Sequence, residues 1–307
     1  MNLRLGTRGS ALALAQAHDA ARRLTAAGAT VEIVIISTVG DRVTDRAFSD
    51  VGAFGVFVRE IEAALLDRRI DVAVHSYKDL PSRGPDGLVV AAVPERVDPA
   101  DVLLVRRDRM AAPVNGIPLA PGAVVGTSAM RRRALLHEMR PDLTHALLRG
   151  NVPTRVRALA DGTFDAIVLA AAGLARLARE DGDRKLTLPA DVEVVRLDPS
   201  RFVPAPSQGA IALQVRAGDA AEAVVARVDD ASCRRAVATE RVALFLAEGG
   251  CTIPFGAWCT AAGGDRLSLV AALGASDGTV ARSTADGTDP AAVAAEAWEP
   301  LAGLVAR

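Results

Sequence analysis

The sequence predicts an α/β protein: two lobes, each built on a parallel or mixed sheet with flanking helices, followed by a small α+β C-terminal domain. Three observations carry this reading. Over the first two-thirds of the 307-residue chain, β-branched apolar runs alternate with stretches of helical spacing. The alternation restarts near Ala123, so it occurs twice. From about Asp219 it gives way to one strong helix and then short alternating strands.

Taken in order, Asn2 to Gly6 alternates as a strand start, and Gly6-Thr7-Arg8-Gly9-Ser10 leads into helical spacing from Ala11 to Leu24. A small-residue loop entering a helix offers free N–H groups and a positive dipole end to an anion. Ser10 also reads simply as the helix cap. Val31 to Ser37, Ile70 to Val74 and Leu88 to Val93 read as strands, with helical spacing at Phe57 to Leu66. The second series runs through Ala123-Val124-Val125, a helix from about Ala129, a strand at Leu147-Leu148, a helix from Pro153 and a strand at Ala166 to Ala170. Glu95 to Pro99 and Leu197 to Ser200 carry Asp and Pro and read as crossings between lobes, which would leave a ligand cleft between them. The expected domains are 1–96 with 197–218, then 97–196, then 219–307. In the last, Ser232 to Ala247 is the strong helix, with Asp229, Asp230 and Ser232 as capping candidates and Gly249-Gly250 as its stop. Leu267 to Leu273 reads as a strand.

Composition narrows the function classes. Only 3% of residues are aromatic, too few for stacking platforms along single-stranded nucleic acid. The formal net charge is −1, so anion binding must come from local arrangement and not from a general basic field. There is no apolar run suited to a signal peptide or a membrane span. Cys233, Cys251 and Cys259 lack metal-ligand spacing and fit a reducing cytoplasm.

Basic residues gather where strands meet helices. Val125-Gly126-Thr127-Ser128-Ala129-Met130-Arg131-Arg132-Arg133 puts three guanidinium groups into the first helical turn, against the helix dipole; a bound anion would offset that penalty. Leu148-Arg149-Gly150-Asn151-Val152-Pro153-Thr154-Arg155 is a strand end, a tight turn and a proline-started helix flanked by Arg. Arg176 follows another strand end, Ala170-Ala171-Ala172-Gly173. Several guanidinium forks at equivalent strand ends suit a ligand bearing several carboxylates. Phosphate is the competing anion, but no P-loop or dinucleotide glycine pattern is present.

Lysine is rare: Lys78 and Lys185 are the only two. Lys78 precedes Asp79 at a strand end, where that carboxylate is either half of a local ion pair or a group facing the cleft to stabilise a cation and relay protons. Among arginines it is expected to stay ionised. His75 reads as a structural histidine. Cys251 follows Glu248-Gly249-Gly250, where glycine freedom could let a thiol reach a cleft. Lying past a helix C-terminus, that thiol gains no stabilisation as a thiolate, so a hydrolase role is poor and a single reaction with a reactive electrophile is better. Cys233 and Cys259 read as core residues.

These pieces together resemble the porphobilinogen deaminase (hydroxymethylbilane synthase) family. The matching segments are Gly6-Thr7-Arg8 with Ser10, Gly55 to Val58, Ala73 to Ser76 with Lys78-Asp79, Gly126 to Ser128 with Arg131-Arg132, and Arg149 to Val152 with Thr154-Arg155. Further on come Leu169-Ala170 with Ala172-Gly173-Leu174, Pro204-Ala205 with Gln208-Gly209-Ala210, and Glu248 to Cys251 with Pro254. They run in order from residue 6 to about 256, and the last fifty residues add little.

The resemblance implies two lobes built like periplasmic binding proteins and a third domain. It also implies a dipyrromethane cofactor joined by a thioether to Cys251. Four porphobilinogen molecules would be added head to tail with loss of ammonia, and hydroxymethylbilane released by water. Asp79 is then the catalytic carboxylate. Arg8, Arg131, Arg132, Arg149 and Arg155 are the carboxylate clamps, with Ser10, Lys78, Thr127, Ser128, Gly150 and Gln208 beside them and Arg176 and Ala170 further out. The resemblance favours a cytoplasmic monomer with no nucleic-acid or membrane partner. Two positions depart from it. The loop Asp41 to Gly55 carries Asp50 and Phe54 where relatives often have lysines, and Gln214 stands where an acid is expected. The alternative is a two-lobed binding protein or sensing domain for a small polycarboxylate, which gives no role to Cys251 or the third domain.

Overall fold

The computed structural model describes residues 1–36, 56–247, 253–261, 263, 265–275 and 277–305. The chain divides into two compact units, Met1–Val97 with Gly209–Arg235, and Asp98–Gln208 with Ala236–Arg307. It opens with β1 (Asn2–Thr7), α1 (Ala11–Ala26), β2 (Thr30–Ile35), α2 (Val56–Leu66), β3 (Val72–Ser76) and β4 (Leu88–Ala92). Next come β5 (Asp101–Arg106), β6 (Met110–Val114), β7 (Ile117–Leu119), β8 (Val124–Gly126), α3 (Met130–Met139) and β9 (Thr144–Ala146). After these run α4 (Val152–Ala160), β10 (Ala166–Ala170), α5 (Ala171–Ala178) and β11 (Val192–Arg196). The chain continues with β12 (Ile211–Arg216), α6 (Ala220–Val225), α7 (Ala231–Leu246), β13 (Phe255–Ala261), β14 (Leu267–Gly274), β15 (Val280–Gly287) and α8 (Pro290–Val305).

The first unit holds a five-stranded sheet in the order β2-β1-β3-β12-β4. The first three strands are parallel and β12 runs antiparallel to both neighbours. Alternation in β1 sends Leu3 and Leu5 into a core with Ala17, Ala20 and Leu24 of α1. Ala221 and Val225 of α6 complete that core.

The second unit contains a sheet in the order β11-β5-β10-β8-β9, in which β10, β8 and β9 are parallel and β5 opposes β10 and β11. Strands β5 and β10 are buried over nearly their whole length, which explains their unbroken apolar runs. Leu197 and Phe202 pack into this sheet's core. A three-stranded antiparallel sheet, β13-β14-β15, has a separate core with α8, where Trp298 meets Phe255 edge-on at 5.8 Å. Mixed α/β layers repeated twice, with a small α+β part at the C-terminal end, are the class read from sequence.

One expected strand is displaced. Leu147-Leu148 is not extended ladder; the strand is Thr144–Ala146, with Ala146 opposite Gly126. Leu148 is buried and Leu147 exposed, so the pair marks an anchor after the strand and not the strand itself. Strands β5, β11 and β12 and the β6–β7 hairpin were not foreseen.

Candidate active site

In the first unit, parallel pairing puts the C-terminal ends of β1 and β3 at one sheet edge, and both chain exits carry charge. After β1 come Arg8 and Ser10. Ser10 caps α1, its hydroxyl accepting from Ala13 N–H at 3.3 Å, so the bland role expected for it is filled. After β3 the backbone makes a single 3₁₀ turn, Tyr77–Asp79. Gln16 on α1 donates to Ser76 Oγ at 2.7 Å and ties the two exits together.

Asp79 stays accessible to solvent while protein atoms crowd its carboxyl. The loss of hydration pushes its pKa up, and the positive charges of Lys78 and Arg8 only partly pull it back. Its cationic neighbours were expected to dominate; desolvation outweighs them, and the carboxylate becomes a better proton acceptor.

His75 is buried, with its ring nitrogen Nε2 3.0 Å from Gln214 Oε1. Burial pulls its pKa down to about 4, so the neutral ring donates to the amide oxygen. Gln214 in turn donates to Glu62 at 3.1 Å. His75 is thus structural, and Gln214, the residue in place of an expected acid, links it to Glu62.

In the second unit the same edge logic applies to β8, β9 and β10. Thr127 follows β8 and is buried, its N–H bonded to Ala146 O and its hydroxyl accepting from Ala129 N–H. Ser128 is exposed. Because β5 runs antiparallel, its first residue, Asp101, lies opposite Ala170 at that edge.

Asp101 is fully buried. Oδ2 accepts from Arg131 Nη2 at 2.8 Å, and Oδ1 from Arg132 Nη2 at 2.7 Å and Nε at 3.2 Å. Oδ1 also accepts from Gln208 Nε2 at 3.0 Å. Arg131 further donates to Val203 O and Arg132 to Val168 O. Burial alone would push the Asp101 pKa up; the two guanidinium groups overcome that and hold it well below the usual carboxylate range. Part of the anion inferred from three arginines in one helical turn is therefore supplied by the protein itself.

Gln208 is fully buried, its amide nitrogen donating to Asp101 Oδ1 at 3.0 Å and to Pro99 O at 2.8 Å. Arg155 donates to Gly150 O at 2.7 Å, and burial together with the charge of Arg132 pulls its pKa down. Gly150 has φ of +102°, a left-handed turn that brings the chain from the exposed Arg149 into α4. Arg176 is buried in the last turn of α5.

Sequence reasoning missed Asp101, whose only local signal is an acid opening an apolar run. It also missed Glu240, fully buried on α7 and accepting from Ser207 N–H at 2.6 Å and Cys259 N–H at 2.8 Å. Cys259 packs in the core of the small sheet and Cys233 is buried. Cys251, Asp50, Phe54 and Gly55 lie outside the described residues.

The fold and these residues define a class: an α/β protein in which, among the described residues, cations cluster at strand ends beside Asp79 and Asp101. Comparison with known proteins narrows it. Residues 3–223 match the family model described as "Porphobilinogen deaminase, dipyromethane cofactor binding domain". A porphobilinogen deaminase from Brevibacillus brevis is 42% identical over 302 residues, covering 97% of this chain and 93% of its own length. One from Roseiflexus castenholzii is 42% identical over 305 residues, with 98% and 95% covered. The chain belongs to the porphobilinogen deaminase family.

Among solved structures, the periplasmic VFT2 domain of Bordetella pertussis BvgS aligns with TM-score 0.41 and 15% identity over 74% of this chain and 85% of that one. The periplasmic sulfonate-binding protein SsuA of Methylobacillus flagellatus KT gives TM-score 0.38 and 13% identity over 81% and 70%. Similarity at that level carries no argument about ligand. Among the described residues no helix is long and apolar enough to cross a membrane.

Proposed function

We propose that this chain joins four porphobilinogen molecules head to tail into hydroxymethylbilane, working from a dipyrromethane attached to Cys251. The observation that carries the reading is near-full-length identity of about two residues in five with porphobilinogen deaminases, with Asp79 and the arginines standing at strand ends.

The residues present fit a dipyrromethane bearing acetate and propionate arms. In the second unit Arg131 and Arg132 share the single carboxylate of Asp101, and Arg155 still feels the charge of Arg132. That local excess of positive charge favours an acidic ligand. When bound, the dipyrromethane supplies the free pyrrole carbon at which the chain grows.

Arg131, Arg132, Arg149 and Arg155 are assigned to its carboxylates, and Arg8 to those of the incoming substrate. As the substrate's C–N bond breaks, the nitrogen leaves with its proton as ammonia and positive charge develops on the pyrrole ring. Asp79 stabilises that charge without forming a covalent bond. Forming the new C–C bond would require the free pyrrole carbon, the nucleophile, to give up one proton. Asp79, made more basic by its surroundings, accepts it and passes it to solvent. Hydrolysis with one water releases the four-ring product.

The small sheet with its own core, whose residues begin at Ala236, supports a C-terminal domain that carries the attachment cysteine, read from the sequence as 219–307. The enzyme is read as a cytoplasmic monomer. A two-lobed carboxylate-binding protein would need neither Cys251 nor Asp79 and is not favoured. Intact-mass measurement of the purified protein tests the reading. Wild type is expected to carry a two-pyrrole adduct and to release ammonia from porphobilinogen, and Cys251→Ser to lack both. An unmodified wild type that turns over substrate would overturn it.

A further inference from the structure

We propose that Asp101 is a positioning residue for this reaction: it orients Arg131, Arg132 and Gln208 so that the two guanidinium groups present their remaining N–H groups to a carboxylate of the bound pyrrole chain. The inference rests on the function proposed above and adds a residue that the family resemblance did not supply.

Three geometric facts carry it. Asp101 is fully buried and accepts from both arginines at once, each through a different oxygen. Carbonyls on the far side fix the same groups, Val203 O at 2.7 Å for Arg131 and Val168 O at 2.8 Å for Arg132. Gln208 then pins the carboxylate itself, through Asp101 Oδ1 on one side and Pro99 O on the other. Neither arginine therefore has to give up rotamer freedom when a ligand arrives.

The charges distinguish this set from a plain structural ion pair. Two guanidinium groups against one carboxylate leave one positive charge unmatched in a nearly dry place. A buried ionic set built for stability alone gains little over apolar packing and has no reason to retain a surplus cation. A set built to receive an anion does. The bonds described occupy two of the five N–H groups of Arg131 and three of those of Arg132, so each fork has donors beyond them.

Asp101→Asn and Asp101→Glu test the proposal in the full-length protein, with wild type measured alongside. Asp101→Asn is expected to raise KM for porphobilinogen by about tenfold or more while kcat changes by less than about threefold. In ¹⁵N-labelled protein the Arg132 Nε–H signal should exchange slowly in wild type and lose that protection in Asp101→Asn. If Asp101→Asn does not accumulate as folded protein, Asp101→Glu decides. It keeps the charge and should still fold, with a Tm lowered by overpacking of a buried site, and should raise KM because the added methylene displaces both forks. A folded variant of either kind with wild-type KM, or unchanged Arg132 protection in Asp101→Asn, overturns the positioning role. A wild type without adduct or turnover would instead sink the enzymatic reading, and the guanidinium signals would still decide whether Asp101 orients the arginines.

Discussion

Asp79 is held between opposing influences: its surroundings remove hydration, while Arg8 and Lys78 supply compensating charge. The sign of the balance has a consequence for stability. A carboxyl whose pKa is raised by folding binds its proton more tightly in the native state. Ionising it therefore costs stability, a cost absent below the unfolded value near ~4 and complete above the folded one. Asp79→Asn is accordingly expected to melt no lower than wild type at pH 7, while turnover falls by about a hundredfold or more. A lower Tm at pH 7, or wild-type turnover, would remove Asp79 from its role. This residue was legible in sequence because a charge directly after a strand run stands out. Asp101 was not, because its partners Arg131, Arg132 and Gln208 are 30 to 107 residues away and only the fold brings them to it.

At the scale of elements, the site is a property of strand direction. Parallel β1 and β3 deliver Arg8 and Asp79 to one edge of the first sheet, and parallel β8 and β9 deliver Thr127 and Arg149 to one edge of the second. The antiparallel β5 begins where those strands end, which is how an acid at its first position reaches their arginines. The crossing Phe202–Gln208 is held in the same way from behind. Ser207 takes φ of +64°, an unusual conformation for a side-chain-bearing residue, and Glu240 fixes it through its N–H. Gly256 on β13 lies against that crossing: a Cβ there would sit 2.7 Å from Val203 O and 3.1 Å from Arg131 Cδ. Backbone cannot yield as a flexible side chain can. Gly256→Ala is expected to cost about 1–3 kcal/mol by overpacking and to raise KM through the displaced Arg131. Calorimetric melting and steady-state kinetics check both, and an unchanged Tm would show that the crossing moves freely.

At the scale of the whole molecule, a covalently held acidic ligand stabilises any chain whose native state grips it and whose unfolded state does not. Cys251→Ser, which cannot keep the adduct, is expected to melt several degrees below wild type, on the order of 3–6 °C. Equal melting temperatures alongside an adduct-bearing wild type would mean that the arginines do not hold its carboxylates. The sequence by itself determined the α/β class and the repeat of the pattern, and it singled out the arginines, Asp79 and Cys251 as candidates, because periodicity, glycine turns and charge at strand ends are local signals. Tertiary structure alone decided that Thr144–Ala146, not Leu147-Leu148, is the edge strand, that desolvation outweighs the cations around Asp79, and that Asp101 accepts from both Arg131 and Arg132. Each depends on which distant atoms remove water or supply a partner, and those distances exist only once the sheets have formed.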